Sequence, residues 1–143
     1  MVVNFKLKQG NQIQKIAADL DKVPDTVISK VFGLVSGTIR KIRRDTEKSM
    51  RGPKTGEWYV YQGSRYQASA PGETPAIRSG ALLRSINSFT RRTAFGVKGV
   101  VRTNIFYAKF LVRKDRPIFK PALDANKAAF FTAIRKVAKE VGN

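Results

Sequence analysis

The strongest pattern in the sequence is an apolar stripe that predicts a long helix over residues 24–50. Apolar side chains recur at steps of three and four residues, the spacing that places them on one face of an α-helix: Ile28, Val31, Val35, Ile39 and Ile42. The proline before the stripe suits the first turn of a helix. Gly33 and Gly37 lower the helix propensity of the segment; they either mark close packing of another element or are tolerated.

Cations follow the stripe toward the end of this predicted helix, at Arg40, Lys41, Arg43, Arg44 and Lys48. Positive side chains there interact favourably with the negative end of the helix dipole. We therefore interpret this run as helix-terminal, solvated charge and not as a binding site.

Two segments precede the long helix. Residues 2–8 alternate apolar and polar side chains, which is typical of a strand. Residues 11–21 carry apolar side chains at helical spacing, and we predict a short helix that ends before Pro24, because the residue before a proline is disfavoured in helical geometry. Its apolar positions are Ile13, Ile16, Ala17 and Leu20.

Aromatic residues surround a Gly-containing turn over residues 57–66, where Trp58, Tyr59, Tyr61 and Tyr66 flank the sequence QGSR. This pattern predicts a β-hairpin. Aromatic side chains beside Arg65 could stack the bases of single-stranded nucleic acid. We favour the alternative, in which they form cross-strand pairs over a core.

The rest of the chain predicts further short elements. Residues 70–80 are rich in Pro and Gly and predict an extended loop, after which Ser79 can cap a short helix. Residues 88–103 predict two strands, with Phe95 among their apolar positions; residues 105–112 fit a buried strand or a helical turn equally well. A final helix is predicted from about Pro121 to Val141, ended by Gly142.

These elements predict an α+β fold with a long N-terminal helix, a small antiparallel sheet and a C-terminal helix. We expect one domain over residues 1–143, because a chain of this length fits a single core.

Charge is the strongest compositional signal, since 28 Lys and Arg residues stand against 10 Asp and Glu residues, a net charge of +18. Residues 74–114 contain no acid at all. Such an imbalance repels itself in a compact chain and is relieved by nucleic acid or by an acidic partner. The alternative is a solvated basic face. The candidate DNA-facing cations are Arg91, Arg92, Lys98, Arg102, Arg113 and Lys114.

Catalytic chemistry finds little support in the sequence. The chain has no Cys and no His, which removes thiolate and imidazole metal ligands and the usual base near neutral pH. Neither a P-loop nor a GxSxG motif occurs, and the carboxylates around the first helices are more simply helix-terminal charges: Asp19, Asp21, Asp25 and Asp45. We therefore expect no enzymatic activity, no cofactor and no metal site.

Membrane association is not expected either. No stretch of 18 or more apolar residues occurs, and the first ten residues lack the apolar run of a signal peptide. The sequence predicts a soluble protein made in the cytoplasm, with no membrane partner.

Three segments together resemble the tail-completion and neck proteins of lambda-like tailed phages, often described as minor tail protein Z type or virion morphogenesis proteins. They are YQASAPGETPAIRSGALLRSI (66–86), NIFYAKFLV (104–112) and RPIFKPAL (116–123). The family shows a Pro-Gly loop, a Gly-x-Leu-Arg-x-Ser-Ile turn, a Tyr-Ala pair and a Pro-containing start to the last helix. One departure is clear: where many relatives carry an acidic, Gly-containing stretch after the Tyr-Ala pair, this chain has Phe-Leu-Val-Arg-Lys at 110–114.

The resemblance implies a structural virion protein that forms a ring, commonly a hexamer, at the head–tail junction. There it would join the tail tube or terminator to the head connector around the genomic DNA, and phosphates would be bound without base readout. The resemblance places the subunit interface at Pro71, Gly72, Glu73, Arg84, Tyr107, Arg116 and Pro117. The alternative function is a stand-alone, sequence-independent nucleic-acid-binding protein.

Overall fold

The structure is a computed structural model that describes the backbone of residues 2–8, 13–19, 24–94 and 96–141 and the side chains of 24–94 and 96–140. In chain order its elements are β1 (Val2–Lys8), β2 (Ile13–Asp19), α1 (Asp25–Arg51), β3 (Trp58–Tyr61), β4 (Ser64–Gln67), α2 (Ala81–Ser85), β5 (Asn87–Thr93), β6 (Gly96–Arg102), α3 (Ala108–Arg113) and α4 (Lys120–Val141). The predicted α+β class is confirmed, with the long helix, antiparallel sheet and C-terminal helix in place. Two strands precede the long helix.

Four strands form one antiparallel sheet in the order β1-β2-β6-β5, and β3 and β4 form a separate hairpin. The sheet therefore joins the first two strands of the chain to a hairpin from its second half. Among the described strands, β1 and β5 are the edges of this sheet.

The predicted helix over residues 11–21 is wrong, because Ile13–Asp19 is strand β2. β2 pairs on one side with β1 and on the other with β6, so that Ile16 lies opposite both Phe5 and Gly99. A segment this short has little helical stability of its own. Backbone hydrogen bonding to β1 and β6 therefore makes this segment a strand, although its apolar residues have helical spacing.

The other predicted elements agree with the structure. The strand over 2–8, the hairpin around QGSR, the two strands over 88–103 and both long helices are confirmed. The segment 105–112, for which a strand and a helical turn were both open, contains helix α3. Predictions for Asp21, Phe95 and Gly142 lie outside the described residues.

The sheet packs closely against α1 through a glycine in β6. Val97, Gly99 and Val101 share the face turned toward α1, and both valines are buried. A Cβ atom at Gly99 would lie 2.7 Å from Val35 Cγ1 and still closer to Ile39 Cγ1. Glycine at this position therefore lets the helix approach the sheet backbone.

The opposite flank of α1 packs on α4, where the buried side chains are Ala122, Leu123, Phe130, Ile134 and Val137. One buried polar residue crosses this interface. Asn126 Nδ2 donates to Asp45 Oδ2 at 2.8 Å and to Ala122 O at 2.7 Å, and its Oδ1 accepts from Lys41 Nζ at 2.8 Å. Because every polar atom of the Asn126 amide has a partner, the contact fixes the relative position of the two helices without an orphaned polar group.

We expect Gly99→Ala to destabilise the fold by about 1–3 kcal/mol, because a methyl group there overpacks the contact with Val35 and Ile39. Chemical denaturation measures the free energy of unfolding. Gly33→Ala is the matched control, since nothing lies within 4 Å of a Cβ at Gly33 and alanine raises helix propensity by about 1 kcal/mol. A neutral or stabilising Gly99→Ala would contradict the close approach of helix and sheet.

Candidate functional site

The three segments that resemble neck proteins are brought together on one surface of the structure. They line a groove of about 620 Å³ beside the β3–β4 hairpin. Its lining includes Tyr66, Ile77 and Leu83 from the first segment, Phe106, Tyr107 and Leu111 from the second, and Arg116 from the third. We call this surface the junction groove.

The loop after the hairpin is tied to its own chain at the edge of the junction groove. Gly72 N donates to Asp115 O at 2.7 Å, and Arg116 Nε donates to Ser69 O at 2.9 Å. Gly72 has a positive φ of 86°, which glycine adopts without strain. The predicted extended loop over 70–80 is therefore anchored on the body of the protein.

Glu73 anchors the same loop from within. Its carboxylate accepts from Thr55 Oγ1 at 2.6 Å, from Ala70 N at 2.8 Å and from Thr55 N at 3.2 Å. These hydrogen bonds lower the pKa of Glu73 below its ordinary value of 4.5, and the bond from the Thr55 hydroxyl has the largest effect. Glu73 thus holds the loop onto the segment that follows α1.

The residues predicted for a subunit interface fall into two groups. Pro71 and Arg84 are exposed and Tyr107 and Pro117 are half-buried, so these four have surface to offer a neighbour. Gly72, Glu73 and Arg116 use their hydrogen-bonding groups within the chain. The interface role of all seven stays a prediction.

Aromatic side chains project from the rim of the groove. Phe106 is 77% exposed and meets Tyr107 edge to face at a centroid distance of 5.5 Å. Phe110 is also exposed, and the side chains of Lys109 and Arg113 lie over its ring. This rim combines apolar area with positive charge; the apolar run over 105–112 and the cations Arg113 and Lys114 were identified from the sequence, but the exposure of Phe106 and Phe110 was not.

The hairpin carries a second exposed apolar patch. Tyr59 and Tyr66 stack across the strands at 5.8 Å, which confirms the predicted cross-strand pairing. The predicted core beneath the hairpin is wrong, because Trp58 is 57% and Val60 72% exposed. Within the described residues no other layer covers their side of this two-stranded sheet, so alternation leaves these side chains in solvent.

Arginines already occupy aromatic faces of the hairpin. The guanidinium of Arg65 lies 5.1 Å from the Trp58 ring centroid, and that of Arg78 lies 4.6 Å from the Tyr61 centroid. Tyr59 donates its hydroxyl to Glu57 at 2.8 Å, which raises the pKa of Tyr59. Bases that stacked here would have to compete with these intrachain contacts.

The six candidate DNA-facing cations do not share one face. Arg91, Lys98 and Arg102 belong to the sheet face turned away from α1, by the alternation of β5 and β6. Arg92 lies on the α1 side, where its Nη2 donates to Ser29 Oγ at 2.9 Å. Arg113 and Lys114 lie at the end of α3.

The outer face of the sheet therefore holds only part of the predicted set. There Arg102 lies over the Phe89 ring at 5.2 Å and donates to Asn87 Oδ1 at 3.2 Å. Arg91 is in register with Lys98 on the neighbouring strand. Three cations on a flat sheet can contact phosphates, but nothing in this arrangement reads base edges.

The described part of the chain holds neither a metal site nor a membrane-spanning helix. No group of three acidic side chains within it could hold a metal ion. None of its helices is long and apolar enough to cross a membrane. Asp45, one of the carboxylates considered from the sequence, accepts a hydrogen bond from Asn126 in the α1–α4 interface.

Comparison with known proteins gave no match to any family model, curated protein or solved structure.

We expect Glu73→Ala to loosen the loop over 70–78 while leaving the core folded, because three hydrogen-bond donors lose their acceptor. Amide hydrogen exchange at Thr55 and Ala70 should accelerate. The stability that Glu73 confers should be present above the pKa of an unfolded glutamate and lost as pH falls through the lowered native pKa. The control is Glu140→Ala, at an exposed carboxylate that pairs with Lys30, away from the loop. Equal exchange rates in the two variants would show that Glu73 does not anchor the loop.

Proposed function

We propose that this protein is a structural subunit of a tailed-phage particle that assembles as a ring at the head–tail junction and acts without catalysis. It joins the tail tube or terminator to the head connector, and its cations lie near the DNA that passes through. The residues carry this role by docking, through the junction groove and the exposed aromatic rim.

The observation that carries the proposal is the convergence of the neck-protein-like segments. Residues of the first two segments (66–86 and 104–112) and Arg116, which begins the third, are separate in sequence but line one groove. A hydrogen bond from Arg116 Nε to Ser69 O joins the third segment to the first. Residues that act together in docking must lie on one surface. The position of these segments beside one another is therefore what a docking function requires.

Exposed apolar area supports a docking role. Phe106 on the groove rim and Val60 on the hairpin are each more than 70% exposed. Clustered apolar side chains in contact with water are typical of protein interaction sites. Aromatic residues in particular supply large contact area at low conformational cost.

Net charge supports the position near DNA. A ring of six subunits would repeat the charge of +18 six times around a polyanion. Side chains on a sheet face, such as Arg91 and Arg102, can neutralise phosphates with no sequence preference. This distribution suits a channel that DNA of any sequence must pass.

The second candidate function is a stand-alone nucleic-acid-binding protein, which the cations of the outer sheet face favour. It predicts tight DNA binding that weakens steeply with salt. Charge reversal at Arg91 and Arg102 separates the two functions. The stand-alone function requires the double variant to lose DNA retardation at physiological salt, whereas a junction subunit should still complete particles when its groove is intact.

We expect Phe106→Asp to leave the chain folded and to block particle completion. The side chain is 77% exposed, so its replacement removes docking area without opening the core. The measurement is complementation of phage that lack the gene, scored by infectious titre and by negative-stain images of heads and tails. Ala129→Asp, at an exposed position of α4, is the control and should complement fully.

Joined and infectious particles in the absence of the protein would overturn the proposed function. Normal complementation by Phe106→Asp would instead show that the junction groove is not the docking surface, and that another surface carries the assembly role. Circular dichroism and thermal unfolding confirm that each variant is folded.

A further inference from the structure

A second groove, of about 650 Å³, runs between α1 and the edge strand β5. Its lining includes Arg40, Arg43, Arg44 and Glu47 of the helix and Ser88 and Thr90 of the strand. None of the three segments that resemble neck proteins reaches this groove. We call it the edge groove.

Its helical wall is strongly positive. Arg40 and Arg44 are exposed and lie one turn apart on α1. Arg43 pairs with Glu47 at 3.0 Å, and Glu47 is the single acid among the described lining residues. Arg40 and Arg44 can therefore bind an anion that enters the groove. From the sequence, this cluster had been assigned to helix termination.

The other wall is a strand with a free side. β5 pairs with β6 on one side and is an edge of the four-stranded sheet among the described strands. An edge strand presents backbone N–H and C=O groups that can pair with another extended chain. Peptide recognition by strand addition uses such an edge, with main-chain hydrogen bonds for affinity and alternate side chains for specificity.

The position of the arginines determines which side chains a strand added beside β5 should carry. Ser88 and Thr90 of β5 lie on the side of the sheet that faces α1. Alternate side chains of an added strand would point to the same side and meet Arg40 and Arg44. Carboxylates are the matching groups, because guanidinium–carboxylate pairs form strong, often bidentate hydrogen bonds.

A second copy of this chain is a poor occupant. The chain has 10 acids in 143 residues, and its other sheet edge, β1, has the sequence VVNFKLK, with two lysines and no acid. Like charges placed together at an interface are unfavourable. Charge complementarity therefore selects a different, acidic protein.

We propose that the edge groove binds an extended acidic segment of a neighbouring protein, which pairs with β5 as a fifth strand and places alternate carboxylates against Arg40 and Arg44. For its biological setting the proposal rests on the proposed function, because it gives the chemistry of one neighbour in the particle. The binding event itself requires only the isolated protein.

The test uses two synthetic peptides of about ten residues with blocked ends and equal charge, one alternating Glu with Thr and one alternating Glu with Pro. The Glu-Thr peptide can pair with a strand edge. In the Glu-Pro peptide every second residue lacks its N–H and has φ fixed at about −65°, so the chain favours a polyproline II conformation and pairs poorly with a strand edge. We expect the Glu-Thr peptide to bind more tightly by fluorescence anisotropy and to slow amide exchange in Asn87–Thr93.

Charge-reversal variants locate the site. Arg40→Glu with Arg44→Glu should weaken Glu-Thr binding by at least about tenfold, because two charge-assisted contacts become repulsive. The matched control is Arg135→Glu with Lys139→Glu, an exposed pair at the same spacing on α4, which removes the same charge from another surface. The affinity of this control variant for the Glu-Thr peptide should stay within about twofold of that of the native chain. Any small loss should come from the lower net charge and should disappear as salt is added.

Equal binding of the two peptides, or equal weakening by the two double variants, would overturn the proposal, because either result shows attraction to net charge alone. Short single-stranded DNA is the third probe. If DNA binding depends on Arg40 and Arg44 and leaves β5 exchange unchanged while the Glu-Thr peptide fails, the groove is a nucleic-acid site. Failure here leaves the complementation assay of the junction groove unaffected, so the two proposals fail separately.

Discussion

The packing of α1 against both the sheet and α4 is the contact on which the rest of the structure depends. Val35 and Ile39 lie against the backbone of β6 at Gly99, and the other flank of the same helix meets α4. Every larger element of the described chain except the β3–β4 hairpin rests on this helix or on the sheet beneath it. The spacing of apolar residues on α1 thus sets where both candidate surfaces lie: the junction groove beyond its C-terminal end, and the edge groove along its exposed side.

Much of the fold could be predicted from the sequence, because periodicity is strong where an element is long. The stripe from Ile28 to Ile42 and the stripe of α4 define helices that need no tertiary information. The helix predicted over 11–21 was wrong for the opposite reason: the segment is short, and pairing with β1 and with the distant strand β6 decided its structure. Asn126 could not be foreseen either, since its role exists only once α4 lies beside Asp45 and Lys41.

The candidate sites were predictable to a smaller degree. The resemblance of three segments predicted a subunit interface, yet it gave no sign that Glu73 and Arg116 would bond within their own chain. Charge counting identified cations but could not divide them among faces, and Arg92 lies against α1 while Arg91 lies on the outer face. From the sequence, the arginines of the edge groove were assigned to helix termination, although Arg40 and Arg44 lie before the last turn of α1, whose basic residues are Lys48 and Arg51. The position of Arg40 and Arg44 beside the edge strand β5 is what suggests a binding role for them.

These features describe a cationic body that offers apolar and basic surfaces for docking. The hairpin and the rim at Phe106 expose aromatic area, the outer sheet face and the edge groove expose arginines, and the anchored loop gives the junction groove a fixed shape. Each of these surfaces suits an anionic or apolar neighbour. The proposed place at a head–tail junction, beside DNA and structural proteins, would match all of these surfaces.

Localisation of the chain in a complete particle tests this account most directly. The sequence contains no cysteine, so Ala129→Cys on the exposed side of α4 gives one thiol for a gold label. Labelled protein would be added to extracts of phage that lack the gene, and the assembled particles imaged by electron microscopy. The account predicts gold at the junction of head and tail in infectious particles; gold that is absent from joined particles, or that follows free DNA instead, would contradict it.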